Sequence, residues 1–323
     1  MTPLLSICIP TYNRAPFISE LLLSIENNFL DNVEVVVSDN ASDDETPSIV
    51  ESFIDRGMPI KYFRNDTNIG ADRNFDSCVR KASGRFCWFI GSDDVMVDGS
   101  LGIILKKISE NQDVDVFLVN KSDYDISLKR EKKVRRALDG CDEKFDLNSD
   151  QSRLGALASG LGYIGAICIR KESWISVDAS KYIGTAYIHV YILQTLIKLG
   201  RKFMYVSDSL LKWRFDNDSF LSESKALGRL DIEINYIRIT RDVFGDGAIL
   251  DRVGRFIMNS NILWQIVSSK LKGAFSFSMF ALVFRELFWI KGSYRIFAVC
   301  LTPGFMFRIA RDMKHCVVQY SNE

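Results

Sequence analysis

The sequence predicts an α/β protein: a mostly parallel sheet with helices on both faces, followed by a helical C-terminal region. Three observations carry that prediction. Over the first 120 residues, short β-branched runs alternate strictly with helical patterns, and such alternation implies parallel strands with covered faces. Polar clusters follow the strands at Thr11-Tyr12-Asn13-Arg14, at Asp39 to Asp44 and at Gly91-Ser92-Asp93-Asp94, where sheets of this kind receive ligands. From Lys225 onward the pattern is helical, and no proline falls between Pro59 and Pro303.

Taken in order, Leu4 to Ile9 is a short apolar run ending at Pro10, which reads as a strand and not as a signal peptide. Val33 to Ser38, Ile60 to Arg64, Phe86 to Ile90 and Val114 to Val119 read as further buried strands. Pro16 to Asn28, Asp44 to Arg56, Ala71 to Ala82 and Gly99 to Glu110 read as the helices between them. The segment from Ser122 to Gln151 changes character. Lys129, Arg130, Lys132, Lys133, Arg135 and Arg136 crowd together there, as in a long solvated loop or hairpin. Gly160 to Ile169 then reads as a strand region, Ile188 to Leu199 as a helix and Lys202 to Val206 as a strand. The expected domains are 1–222 and 223–323. In the second, Phe and Trp residues from Trp264 to Phe307 interleave with cations such as Lys270, Arg285, Lys291 and Arg295. That composition fits helices lying in a headgroup layer, and it equally fits a subdomain packed on the core or on a second copy of the chain.

Composition narrows the function. With 323 residues, 47% apolar and 25% charged, the chain has material for a large core and is neither disordered nor low in complexity. Its 41 Lys+Arg balance 41 Asp+Glu, so no global field exists to hold a nucleic acid. Any bound anion must be met by local groups. Seven cysteines with no C-x-x-C pair read as reduced thiols of a cytosolic protein. No apolar stretch reaches the roughly 18 to 20 residues of a membrane-spanning helix.

Two constellations carry chemistry. In "VEVVVSDNASDDET" Asp43 or Asp44 serves as a helix cap, but Asp39, at the strand's exit, has no such explanation. In "RFCWFIGSDDVMVDGSL" Asp93 and Asp94 follow a buried strand directly. Adjacent carboxylates repel unless a cation neutralises them, and a hard divalent cation held by one or two carboxylates is the usual partner.

"SICIPTYNR", "VVVSDNASDD", "NIGADRN" and "ASGRFCWFIGSDD", in this order, resemble the N-terminal half of the family 2 glycosyltransferases of the GT-A fold. Within that family they are most similar to abequosyltransferase-like enzymes, which add dideoxysugars or related sugars in O-antigen assembly. The resemblance implies a Rossmann-like domain, a CDP-, UDP- or GDP-linked sugar donor and a divalent cation, Mn or Mg. It places Pro10, Thr11, Tyr12 and Arg14 around the nucleoside, Asp39 on the base, Arg73 near the diphosphate and Asp93 on the metal, with Ser92 and Asp94 beside it. The family's D-x-D-D string has Gly91 in place of its first carboxylate, which removes a contact to the ribose.

Where relatives carry a Glu-Asp pair with the acceptor's base, this chain has Ile188-His189. A neutral imidazole near a helix N-terminus accepts a proton, so His189 is the candidate base, or else a residue that binds the acceptor or packs the helix. The segment 206–222 resembles the one that closes over the diphosphate, with Arg214 on phosphate and Trp213 stacking on donor or acceptor. Asp216 stands where relatives carry histidine. The resemblance further implies a lipid-linked saccharide acceptor at the inner face of a bacterial plasma membrane, with the protein cytoplasmic and peripheral to it. An inactive nucleotide-sugar-binding module is the alternative, kept open by the missing carboxylate and Glu-Asp pair. A nucleotidyltransferase would need a glycine-rich basic loop, which "IPTYNRAPF" lacks.

Overall fold

The computed structural model describes residues 2–135, 142–145, 153–214, 217 and 226–307. The chain forms two compact units, Met1–Asn217 and Asp218–Glu323. The expected boundary at 222/223, Asp216 and the tail from Arg308 lie outside the described residues.

The first unit is built on β1 (Leu5–Thr11), β2 (Val33–Asp39), β3 (Ile60–Arg64) and β4 (Phe86–Phe89), parallel in the order β3-β2-β1-β4. Their near-continuous apolar runs follow from burial on both faces. Leu5, Ile7 and Ile9 of β1 share one core with α1 (Ala15–Asn28), α2 (Thr46–Asp55) and α4 (Ser100–Glu110). On the other face α3 (Ala71–Lys81) packs over β1 and β2, with the Cys78 thiol on the Val36 carbonyl.

Beyond β4 the sheet becomes mixed. β9 (Ile167–Arg170) runs antiparallel between β4 and β6 (Val116–Tyr124), and β10 (Phe203–Arg214) returns parallel to β6. β5 (Val95–Met96) and β8 (Glu143–Phe145) pair with β10, and the basic segment supplies β7 (Glu131–Arg135), an antiparallel partner of β6. Two expectations change here. Gly160 to Ile169 is not one strand region: α5 (Leu154–Gly162) and a tight turn at Ile164–Ala166 precede a short β9, because a short apolar run cannot by itself separate buried helix from buried strand. β10 continues past Val206 to Arg214 through a register shift at Ser209. Such bulges re-aim the side chains that follow. The unit closes with α6 (Lys171–Ile175) and α7 (Ile188–Lys198). The five described cysteines are buried and free.

The second unit is helical: α8 (Ala226–Phe244), α9 (Ala248–Ile257), a π-turn at Met258–Ile262, α10 (Leu263–Leu271), α11 (Phe277–Leu287) and α12 (Tyr294–Leu301). Arg238 of α8 ties to Glu286 of α11 at 3.0 Å. The Lys270 ammonium donates to the carbonyls of Cys300 and Thr302 at 2.7 and 3.0 Å, satisfying orphan acceptors at the end of α12. No described helix is long and apolar enough to cross a membrane. Phe277 and Trp289 are nonetheless 82% and 80% exposed.

Candidate active site

The connections from β1 run outward through β2 to β3, and the chain then returns to β4 on the opposite side of β1. A crevice opens at such a switch point. β4 pairs with β1 only as far as Cys8–Phe89, whereas β1 runs on beside β2 to Thr11–Asp39. The loops after β1, β2 and β4 meet at this edge, as do the ends of β6 and β10.

On the β1–β2 side most of the polar groups satisfy one another. Asp39 is fully buried. Its Oδ1 accepts from the Ser42 amide and hydroxyl at 2.9 and 2.6 Å, and its Oδ2 accepts from the Tyr62 hydroxyl at 2.7 Å. The Asn13 amide donates to Ser42 Oγ, the Arg14 amide to Thr46 Oγ1, and Asp44 accepts from the first amides of both α1 and α2. Asn13 and Ala41 hold left-handed backbone, φ 50° and 65°, so these turns depend on that bonding. Asn40 binds Asn65, Asn68 and the Ile69 amide, while Asn74 binds Ser38. Pro10 is buried, and Tyr12 and Arg14 are half-buried in the same loop. Thr11 is 2% exposed with no partner on Oγ1. Arg73 stands exposed in the first turn of α3.

The acidic pair is arranged differently. Asp93 Oδ2 accepts from Asn217 at 2.7 Å, and its carbonyl accepts from Arg214 Nε at 2.6 Å. Arg214 is buried, and its other nitrogens hold the Ile126 carbonyl and Glu20. Its guanidinium therefore fixes the backbone behind Asp93. Asp94 is 1% exposed; Oδ2 accepts from the Tyr163 hydroxyl and Oδ1 has no partner. Burial, and then the charge of Asp93, push the Asp94 carboxyl up to about 8. Ser92 is buried between them and β4.

Two glycines make this possible. A Cβ at Gly91 would lie 2.7 Å from Asp94 Oδ2 and 3.2 Å from Asp93 Oδ1, and one at Gly165 would meet the Tyr163 hydroxyl at 2.5 Å. Lys121 lies over the Trp213 ring at 3.3 Å and bonds Asp123 at 2.8 Å, while Trp213 and Tyr163 are in ring contact. The donor set offered by Asp93 and Asp94 is all carboxylate oxygen, one of them buried and unpartnered, which fits a hard dication such as Mg or Mn. Among the described residues no third His, Cys, Asp or Glu joins them as a ligand cluster, so water and phosphate oxygens would complete the shell.

His189 lies in the first turn of α7, 2% exposed, between Phe75 and Tyr187. Nε2 is 3.3 Å from the Gly162 carbonyl, and Nδ1 has no partner. Burial lowers its pKa to about 4, and since a carbonyl only accepts, Nε2 carries the proton. One residue on from Gly162 is Tyr163, which binds Asp94.

Tyr163, Lys121, the asparagine ladder and Asp72 escape sequence reasoning. Asp72 is 3% exposed, and three amides of the loop leading into α7 converge on its carboxylate. Burial raises its pKa against the pull of those amides. The acid two residues past Gly70 was a visible signal, but it reads as a first-turn charge of α3.

A twisted α/β sheet with a polar loop cradle and an acidic pair at its switch point defines the class: a GT-A glycosyltransferase. The fold agrees with S. aureus TarS 1–349 in complex with UDP-GlcNAc, at TM-score 0.62 and 17% identity over 87% of this chain and 85% of that one. It agrees also with the mannosyltransferase PcManGT from Pyrobaculum calidifontis, in complex with GDP-Man and Mn2+, at TM-score 0.55 and 17% identity over 97% and 87%. The chain belongs to glycosyl transferase family 2, whose profile matches residues 6–164. It is 33% identical over 273 residues, 81% of either chain, to the abequosyltransferase RfbV of Salmonella typhimurium.

Proposed function

We propose that this glycosyltransferase moves a deoxysugar, abequose or a related dideoxyhexose, from a nucleoside-diphosphate donor to a lipid-linked saccharide in O-antigen or surface-polysaccharide synthesis. The carrying observation is the Asp93–Asp94 pair, a half-buried and a buried carboxyl group in succession with one unpartnered oxygen on Asp94. Likeness to an abequosyltransferase supports the sugar class.

The residues divide the work. The loops at Pro10 to Arg14 and Asp39 to Asp44 cradle the nucleoside, with Asp39 holding the second loop in shape through Ser42. Asp93 would hold Mn or Mg, with Asp94 as the second carboxyl group and Arg214 fixing the Asp93 carbonyl. When bound, such a dication supplies Lewis-acid stabilisation to the departing diphosphate. Arg73, exposed on α3, approaches the diphosphate. Trp213 stacks on donor or acceptor. The acceptor oxygen bonds to the anomeric carbon as the carbon–oxygen bond to the diphosphate breaks, and the hydroxyl proton passes to His189 Nδ1, or to a neighbouring carboxylate.

The second unit meets the membrane surface that bears the acceptor. Phe277, Trp289 and Phe284 are exposed beside exposed Arg285, Lys291 and Arg295, the mix that favours an anionic headgroup layer.

Calorimetry on the full chain tests the donor site: with Mn2+ present, one of CDP, UDP or GDP should bind, and that binding should be lost with EDTA. No heat from any of the three would overturn the reading. Flotation with vesicles containing anionic phospholipid tests the surface. Trp289→Ala with Phe277→Ala should leave the protein unfloated, and undiminished flotation would remove the membrane assignment.

A further inference from the structure

We infer that Asp72 is a positioning residue for glycosyl transfer: its buried carboxylate sets the loop that delivers the first turn of α7 to the reaction. The inference rests on the transferase reading above and adds to it the device that orders the acceptor side.

Asp72 belongs to α3, yet it serves a segment far along the chain. Oδ2 accepts from the amides of Gly184 and Ala186 at 2.7 and 2.9 Å, and Oδ1 accepts from the amide of Ile188 at 3.2 Å. Ile188 is the first residue of α7, so its amide is one of those a helix cannot satisfy internally. Gly184 and Ala186 hold φ of 94° and 65°. For alanine the left-handed conformation costs roughly 1–2 kcal/mol and persists only where surroundings impose it. At 3% exposure the Asp72 carboxylate has these amides as its environment and not solvent.

The consequence reaches the acidic pair in two contacts. From the first turn of α7, His189 Nε2 meets the Gly162 carbonyl, and the next residue, Tyr163, donates to Asp94. A loop released from Asp72 lets His189 shift against that chain. The nucleoside loops are cross-linked through Asn13, Ser42 and Asp44, and α3 keeps its own tie to β2 through Asn74 and Ser38, so donor binding should not feel a change confined to residues 184–188. The same carboxylate thus separates two properties that a general loss of stability would lower together.

Asp72→Asn is the discriminating variant, since it keeps the shape of the side chain and only one acceptor oxygen; Asp72→Ala is the severe form. Hydrogen exchange at the amides of residues 184–188 should accelerate in the full chain. Turnover should fall about tenfold or more, the cost of a small misplacement at a reacting centre, while affinity for the nucleoside diphosphate that binds the unsubstituted chain stays within about twofold. Unchanged turnover with freed amides overturns the proposal. So does unchanged protection, and so does a parallel fall of turnover, nucleotide affinity and melting temperature. If the unsubstituted chain transfers no sugar, the transferase reading fails, and amide protection alone then decides whether Asp72 holds the loop.

Discussion

Glu34, at the edge of the sheet where β1, β2 and β4 begin, and Asp94, at the edge where they end, are both buried carboxyl groups, 6% and 1% exposed. Burial pushes both upward. Glu34 nevertheless titrates at about 2, because Lys61, Ser6 Oγ and the Ser83 hydroxyl and amide all donate to it. Asp94 titrates at about 8, because its burial and the like charge of Asp93 outweigh the Tyr163 hydroxyl and the more distant pull of Lys121. Asp94 lies deeper and beside a like charge, while Glu34 has a cation and several donors, and depth and donors together decide what each carboxyl is for. A carboxylate with its full complement of donors is a fastening. One left short of donors beside its own kind is poised for a cation or a proton.

The sharpest way to break this contrast is Asp93→Ala. If the pair is the reactive end, turnover falls by about 10³-fold; retention of most of the rate in Mn2+ would make Asp94 just another buried acid. Next in size is His189→Ala, for which a loss of about 10²-fold is expected if its neutral imidazole takes the acceptor's proton. An effect confined to acceptor KM would make it a binding residue. Because burial keeps this imidazole neutral down to about 4, its stability contribution is complete above the unfolded value of 6.5 and is lost as pH falls toward 4; urea melts of the two chains at pH 7 and pH 5 check that sign.

The smallest effect on rate should come from Glu34→Gln. The folded pKa of Glu34 lies below its ordinary value of 4.5, so its contribution, at most roughly 3 kcal/mol, is present above that pH and disappears as pH falls toward 2. The variant should lose denaturant resistance at pH 7, lose little more in acid, and keep its kcat. A fall in kcat with unchanged stability would mean the two edges are not divided as described.

Much of this was visible in the residues. The strands β1 to β4 announce themselves as apolar runs ended by polar clusters, and Asp93–Asp94 is conspicuous as two adjacent acids in the cluster that ends β4. What stayed hidden depended on distance. β9 inserts antiparallel between β4 and β6, a pairing that no local pattern encodes. The polar stretch "VSDS" conceals the bulge that carries β10 on to Trp213 and Arg214. Arg214 and Asp39 were identifiable as residues, but not their partners: Asp93's carbonyl and Glu20 for one, Ser42 and Tyr62 for the other. The glycine of "ASGRF" belongs to a recognisable motif, yet its purpose is steric, since a Cβ at Gly84 would stand 2.5 Å from Ser6 Oγ.

Gly91 and Gly165 carry a consequence for descent. Each leaves the space into which the Asp94–Tyr163 pair fits, so a side chain at either position would push the carboxyl or the hydroxyl out of its present place. An acid introduced at 91 would place its Cβ against an oxygen already held by Tyr163, and should weaken the Asp94–Tyr163 bond before it makes any contact of its own. Lineages that share the tyrosine should therefore share both glycines, and an acid at 91 should appear only with change at 94 or 163.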